Sequence, residues 1–349
     1  MKVVVLAGGL SPERNVSLSS GSKIASTLRS LGHQAALVDM YFGLEDYPGR
    51  SGEDLFSAPI PERWQTVDRA APDLDQVRQS RKWTGKGDFG PGVLELCQGS
   101  DMVFLALHGQ CGEDGRVQAA FDLLGVPYTG SGYLGSAMAM DKDLTKRLVK
   151  GEVNTPHWTH AEYTQGDIDD LVEKTPVPCV VKPVDSGSSI GVSIPKDKTE
   201  LRAALLEGLA QGGRCLLEQY IPGREIQVGI LDGKALPPIE IIPKEGFYDY
   251  ANKYQAGAAQ EVCPAPLTSE QEHEVKALAE TVFRILGLKV YSRADFILDE
   301  NGVFWFLEIN TLPGMTPTSL MPQEAAAAGM DYPALCRHII NSSLRLGRG

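Results

Sequence analysis

The residues whose types and spacing suit chemistry best lie near the C-terminus, in the stretch Ser292–Thr316, SRADFILDENGVFWFLEINTLPGMT. Asn301-Gly302 is a strong two-residue hairpin signal between runs of aromatic and branched residues. With those residues as the loop, Glu300 pairs with Val303, which sets Asp295 opposite Glu308 and Arg293 opposite Asn310. Alternation along the strands puts these four side chains on one face. The other face, Ala294, Phe296, Leu298, Val303, Trp305, Leu307 and Ile309, is expected to be core. Facing carboxylates repel by roughly 0.2–1 kcal/mol, and a hard cation between them reverses the sign. Oxygen donors from Asp, Glu and Asn suit magnesium, which keeps waters and takes the rest of its shell from phosphates. The plain alternative is a solvated polar face on which Arg293 balances the acids.

Other candidates sit at the ends of apolar runs. Glu13 follows the first run, where it either favours a helix start electrostatically or holds a substrate ammonium group. His108 ends the run Asp101–Leu107 and precedes a glycine-rich loop, a position at which substrate residues collect and at which packing histidines are equally at home. Lys142 falls in a helical stretch, and Lys182 ends a strand expected at Val177–Val181. The loop Asp185–Val192 is rich in Ser and Gly, so its backbone N–H groups can approach phosphate oxygens, although a flexible turn reads the same way. No G-x-x-x-x-G-K-[ST] or G-x-G-x-x-G pattern is present. The polar stretch Lys244–Pro266, containing FYDYANKYQAGAAQEVCPAP, is long for a loop in a compact domain and so reads as functional.

These residues need elements to position them. At 349 residues the chain exceeds one ordinary core, and two or three packed units are expected. A net charge of −12 speaks against a nucleic-acid footprint. No apolar run approaches membrane-spanning length, and MKVVVLAGG reads as a buried strand rather than a signal peptide. The six scattered cysteines form no C-x-x-C pair and are expected as reduced thiols. Lys2–Ala7, a helix over 16–31 closed by Gly32, and Gln34–Asp39 make a β-α-β unit. From Tyr41 to Gly92 periodicity is poor, and an irregular or partly paired excursion is expected. A strand follows at 101–107, then helices at 116–124, 133–149 and 201–209. Strands are expected at 216–221, 225–231, 234–236 and 239–242. Ser269-Glu270-Gln271-Glu272 reads as a capping box opening a helix to Gly287, and a last helical region covers 323–346.

Lysines at element ends, a Ser/Gly loop and an acidic hairpin together are a way to hold a nucleoside triphosphate without a P-loop. With these in view, the chain resembles the D-alanine–D-alanine ligases of the ATP-grasp superfamily over essentially its whole length. The matching segments, in order, are GGLSPERNVSLSSG, LHGQCGEDGRVQ, YTGSG with MDKDLTK, VVKPVDSGSSIGV, FYDYANKY, and SRADF with LEINTLPGMTPTSLMP. The resemblance implies an α/β protein, α+β in its C-terminal part, with the ATP-grasp fold and an N-terminal Rossmann-like α/β domain. The expected division is an N-terminal domain at 1–130, a central subdomain at 131–217 and a C-terminal one at 218–349, with the active-site loop at about 244–266.

It also implies a reaction, in which ATP phosphorylates one D-alanine carboxylate and the amine of a second D-alanine attacks the acyl phosphate. Lys142 and Lys182 match residues on the α/β-phosphates, and Lys253 one that reaches the γ-phosphate. Glu218 and Glu225 match residues at adenine and ribose, with Tyr220 and Ile221 along the base edge. Asp295, Glu308 and Asn310 match ligands of two Mg²⁺ ions, for which Mn²⁺ can substitute; an activating monovalent cation is left open. Glu13 matches the anchor of the first substrate's ammonium, near His108, while Arg293 and the Gly314 N–H match oxyanion stabilisers. Ser188 and Tyr254 match partners of Glu13 in a loop-closing triad, and Ser319 and Leu320 match residues around the second D-alanine, whose carboxylate Ser319 would bind. Tyr254 points to an amine rather than a hydroxy-acid acceptor; D-serine and other carboxylate–amine pairs stay as alternatives, with a silent ATP-binding protein behind them. The family implies a cytoplasmic homodimer serving peptidoglycan synthesis, with no nucleic acid or membrane partner. The long 41–92 excursion, Asn15 in place of an acid, and Pro317 depart from the pattern.

Overall fold

The computed structural model describes residues 1–67, 71–187, 189–244 and 259–348. Strand β1 (Lys2–Ala7) is buried almost throughout because it lies between two parallel neighbours, β2 (Gln34–Asp39) and β3 (Met102–Leu105), in the order β2-β1-β3. Helix α1 (Arg14–Ser30) packs on this sheet through small residues. A Cβ on Gly21 would come within 2.8 Å of both Ala7 and Leu37, so glycine there permits the close approach.

The excursion between β2 and β3 holds short 3₁₀ turns (Gly43–Asp46, Glu53–Phe56, Glu62–Trp64) and the helices α2 (Leu74–Ser80) and α3 (Val93–Gln98). Among its described residues there is no strand, so the irregular alternative is the one realised. It is fastened by the Tyr47 hydroxyl, which donates to Leu37 O at 2.6 Å, and by the buried Trp64. Helix α4 (Arg116–Leu124) ends at Gly125, whose φ is +64°.

The single helix expected over 133–149 is two, α5 (Tyr133–Met140) and α6 (Lys142–Val149). Asp141 breaks them: its backbone is extended and its carboxylate accepts from Leu144 N at 2.9 Å, an N-cap that starts α6 afresh. Lys142 is thereby the first residue of a helix.

A small antiparallel sheet follows, in the order β4 (Trp158–Glu162), β6 (Arg214–Gln219), β5 (Cys179–Pro183), covered by α7 (Ile168–Lys174) and α8 (Lys198–Ala210). The larger antiparallel sheet runs β10-β9-β7-β11-β12, with β8 (Lys234–Ala235) on β7 (Arg224–Leu231). Its other strands are β9 (Ile239–Pro243), β10 (Ala259–Val262), β11 (Tyr291–Leu298) and β12 (Phe304–Asn310). Strand β10 lies inside the stretch expected to be loop. Helix α9 (Ser269–Ile285) is opened by Thr268 and Gln271, one residue before the expected box, because Thr268 is the residue with extended backbone and its hydroxyl accepts from Gln271 N.

Helices α10 (Leu320–Ala327) and α11 (Tyr332–Arg345) end the described chain. Leu335, Cys336, Ile339 and Ile340 of α11 belong to the same core as β1 and α1. The six cysteines are free thiols.

Candidate active site

The β11–β12 hairpin pairs Arg293 with Asn310 and Asp295 with Glu308, as the spacing predicts. The turn is not the expected one. Asp299 N donates to Val303 O and Gly302, at φ +83°, closes a three-residue loop, which displaces the register by one. A β-bulge then leaves Leu307 without an opposite residue, since Phe296 faces Phe306, and the offset is restored before Glu308. Between turn and bulge the faces are exchanged. Phe304 and Phe306 are in the core with Ala294, Phe296, Leu298 and Ile309, whereas Val303, Trp305 and Leu307, expected there, are only half-buried. Leu307 joins Ile297 on the cleft side.

Two cavities flank the hairpin. One, of about 400 Å³, lies between the two antiparallel sheets and is lined by Lys142, Lys182, Tyr220, Ile221, Glu225 and Leu307, among others. The other, of about 450 Å³, lies between α1 and the segment after β12, and brings together Glu13, His108, Arg293, Asn310, Gly314 and Ser319. Glu308 lines both.

In the first cavity, Glu218 is buried and bridges Lys182 Nζ at 2.8 Å and Lys146 Nζ at 2.5 Å. Burial alone would raise the Glu218 carboxyl, but the two ammonium groups hold it below its ordinary value. Burial pushes Lys146 down to about 8 against the pull of Glu218. Lys142 Nζ donates to Ser186 O at 2.6 Å and sits 3.1 Å from Glu308. The Ser/Gly loop is thus tied to a lysine at a helix N-terminus and to the hairpin.

In the second cavity, Glu13 caps α1, and a Cβ on Gly109 or Gly187 would come within 2.8 or 2.7 Å of its Oε2. Two glycine loops therefore close on this carboxylate. Beneath it, Arg14 pairs with the fully buried Asp39 and donates to Gly9 O at 2.7 Å, fixing the turn after β1. Residue 312 is held by both its backbone groups: Leu312 N donates to Glu113 at 2.9 Å, and Leu312 O lies 2.9 Å from His108 Nδ1. Glu113 also accepts from Gly109 N at 3.0 Å; burial, with Glu13 adding repulsion, raises it to about 7. Burial lowers His108, whose Nε2 lies 3.5 Å from Ser20 Oγ. Loop 108–113 thus aims the backbone that continues to Gly314. Ser319 caps α10 at the cavity, with Leu320 beside it, and its Oγ accepts from Thr316 N at 3.1 Å.

Arg293 holds Asp295 by two bonds, at 2.8 and 2.9 Å, so it balances that acid here, and Asn310 Nδ2 lies 3.4 Å from the same carboxylate. Among the described residues no group of three His, Cys, Asp or Glu gathers for a metal. The set Asp295, Glu308 and Asn310 nonetheless fits a hard cation that keeps waters and bonds to phosphate, because both carboxylates are paired face to face at the mouth of a lysine-lined cleft. Ser188, Lys253 and Tyr254 lie outside the described residues. Lys146, Glu113, Asp39 and the cleft role of Leu307 are additions to the residues expected. Only the spacing of Lys142 and Lys146 on one helix face could have signalled the first.

A nucleotide-sized cleft between two antiparallel sheets, sharing a carboxylate with a second substrate cavity, is the arrangement of the ATP-grasp ligases. The profile described as "D-ala D-ala ligase N-terminus" matches residues 2–131 and that described as "D-ala D-ala ligase C-terminus" matches 153–341. This chain belongs to the D-alanine–D-alanine ligase family. The D-alanine–D-alanine ligase of Pediococcus pentosaceus is 40% identical over 348 residues, which is 99% of this chain and 98% of the relative. That of Nitratidesulfovibrio vulgaris is 40% identical over 342 residues, covering 97% of each. Among solved structures, the Bacillus anthracis ligase complexed with ATP superposes with a TM-score of 0.72 at 31% identity, over 99% of this chain and 97% of that one. The Coxiella burnetii ligase gives 0.73 at 26% identity, over 99% and 94%.

Proposed function

We propose that the chain joins two molecules of D-alanine at the expense of ATP, releasing ADP and phosphate. One observation carries this reading: Glu308, paired with Asp295, is part of the wall of both cavities, so a phosphoryl group from one meets a carboxylate from the other there. ATP lies in the cleft with its phosphates toward Lys142 and Lys182 and its base beside Tyr220 and Ile221, while Glu225 faces the ribose. Glu218 acts by fixing Lys146 and Lys182. Lys253 is assigned to the γ-phosphate by resemblance alone.

The first D-alanine presents its ammonium to Glu13 and its carboxylate oxygen to the γ-phosphorus. That P–O bond forms as the bond to ADP breaks. The amine of the second D-alanine, having lost its proton, then adds to the carbonyl carbon. Collapse expels phosphate. For the oxyanion the resemblance names Arg293, held by Asp295 in this structure, and the Gly314 N–H; one preorganised donor contributes about 2.7–4 kcal/mol. Asp295, Glu308 and Asn310 would hold two Mg²⁺ ions, which neutralise the phosphates when bound. Ser319 and Leu320 border the second D-alanine; by resemblance alone, Ser188 and Tyr254 are assigned with Glu13 to keeping water out.

The division at 130 and 217, a homodimer and a cytoplasmic setting in peptidoglycan synthesis belong to the same proposal. Among the described residues no helix is long and apolar enough to cross a membrane. A coupled assay of ADP release offered D-alanine, D-serine, D-lactate and L-alanine tests the reading. Release is expected with D-alanine; release with none of the four would overturn it.

A further inference from the structure

The amino-acid cavity extends along α1. Glu13, Val16, Ser19 and Lys23 all line it, at the three- and four-residue spacings of one helix face. Its wall also includes Gln65 and Val67, which follow the turn Glu62–Trp64 packed on α1. The excursion of obscure role thus reaches the substrate cavity.

Among the described residues, the charged groups of this cavity have partners, with one exception. Arg293 holds Asp295, Glu308 faces Lys142, Glu113 accepts from two backbone amides, and Glu261 accepts from Gln323 at 2.5 Å. Glu13 is enclosed by Gly109 and Gly187. Lys23 is half-buried, and among the described residues its ammonium has neither a hydrogen bond nor an ion pair.

We propose that Lys23 receives the carboxylate of the second amino acid, so that Glu13 and Lys23 mark the two charged ends of the dipeptide. The inference rests on the ligase reading. Ten residues of helix separate the two positions, about 15 Å of rise. A fully extended two-residue chain spans about 7 Å, and with a contact of about 3 Å at each end it needs about 13 Å. Helical side chains lean toward the N-terminus, which draws the Lys23 ammonium back toward that value. The first amino acid's carboxylate is committed to the Glu308 wall, so the second's is the one left to meet a cation. The cap of α10 at Ser319 supplies a further neutral donor to the same group.

The experiment compares Lys23→Gln and Lys23→Arg with the unmodified enzyme, measuring separately the KM for ATP, for the first D-alanine and for the second. It uses D-alanine and then D-alaninamide, which lacks the carboxylate, as acceptor. Loss of a charge-assisted hydrogen bond predicts about a tenfold or greater rise in the second KM for Lys23→Gln. The first KM and that for ATP stay within about twofold, and Lys23→Arg recovers most of the loss. With D-alaninamide the variant and the parent should perform alike. An unchanged second KM, or an equal penalty for D-alanine and D-alaninamide, overturns the proposal while leaving the ligase reading intact. Absence of ADP release by the parent enzyme overturns the ligase reading itself.

Discussion

Glu113 is a carboxyl whose usefulness depends on where its backbone partners come from. It joins Gly109 in the N-terminal loop to Leu312 beyond the hairpin, two segments that no strand pairing connects. Its value in the folded protein, about 7, exceeds the ordinary 4.5. A raised value means that the folded state binds the proton more tightly, so this contribution to stability is complete below pH 4.5 and lost as pH rises through about 7. Urea unfolding of the parent protein and of Glu113→Gln, followed from pH 5 to 8, should show the parent's relative stability falling up to about pH 7 and then level. A difference independent of pH would remove Glu113 from this role. In the sequence Glu113 is one of two adjacent acids in a glycine-rich loop. Lys146, likewise, reads as a solvated helix residue until β6 places Glu218 against it. Buried charges are hard to read from sequence because their partners are distant in the chain: 72 positions separate Lys146 from Glu218.

At the scale of elements, the β11–β12 hairpin shows why the expected pairing survived an incorrect turn. A three-residue loop shifted the pairing one way and the Leu307 bulge shifted it back, so Arg293, Asp295, Glu308 and Asn310 kept their expected neighbours. The strand between them did not. A one-residue slip sends every side chain to the opposite face, which is why Phe304 and Phe306 replace Val303, Trp305 and Leu307 in the core. The alternation of this strand is ambiguous because both of its faces carry large apolar residues. The difference can be measured. Phe306→Ala should cost about 3–5 kcal/mol of stability, as a core truncation does, with urea unfolding as the readout. Leu307→Ala, at the cleft, should cost less and instead raise the KM for ATP. The reverse ranking would place the bulge elsewhere. The strands of the β-α-β start were legible because they are buried on both faces. The break at Asp141 was not, because an aspartate inside a helical pattern gives no sign that its carboxylate will cap a second helix.

Across the whole molecule, the end of the chain completes the core of its beginning. Helix α11 places Leu335, Cys336, Ile339 and Ile340 among the residues of β1 and α1, and Asp232 at the tip of β7–β8 receives His338 at 3.0 Å, Ser342 at 2.7 Å and Arg345 at 2.9 Å. A fragment of residues 1–131 should therefore lack a cooperative unfolding transition by circular dichroism, and the full chain should show one; an equally sharp transition in the fragment would mean that α11 is dispensable to that core. The same scale governs ligand binding. Glu308 belongs to the walls of both cavities, and in this structure its counter-charge is Lys142. A ligand that redirects either group in one cavity alters the field in the other, so the two occupancies are thermodynamically linked. Such linkage is reciprocal: whatever factor ATP contributes to the affinity for the amino acid, the amino acid must return to ATP.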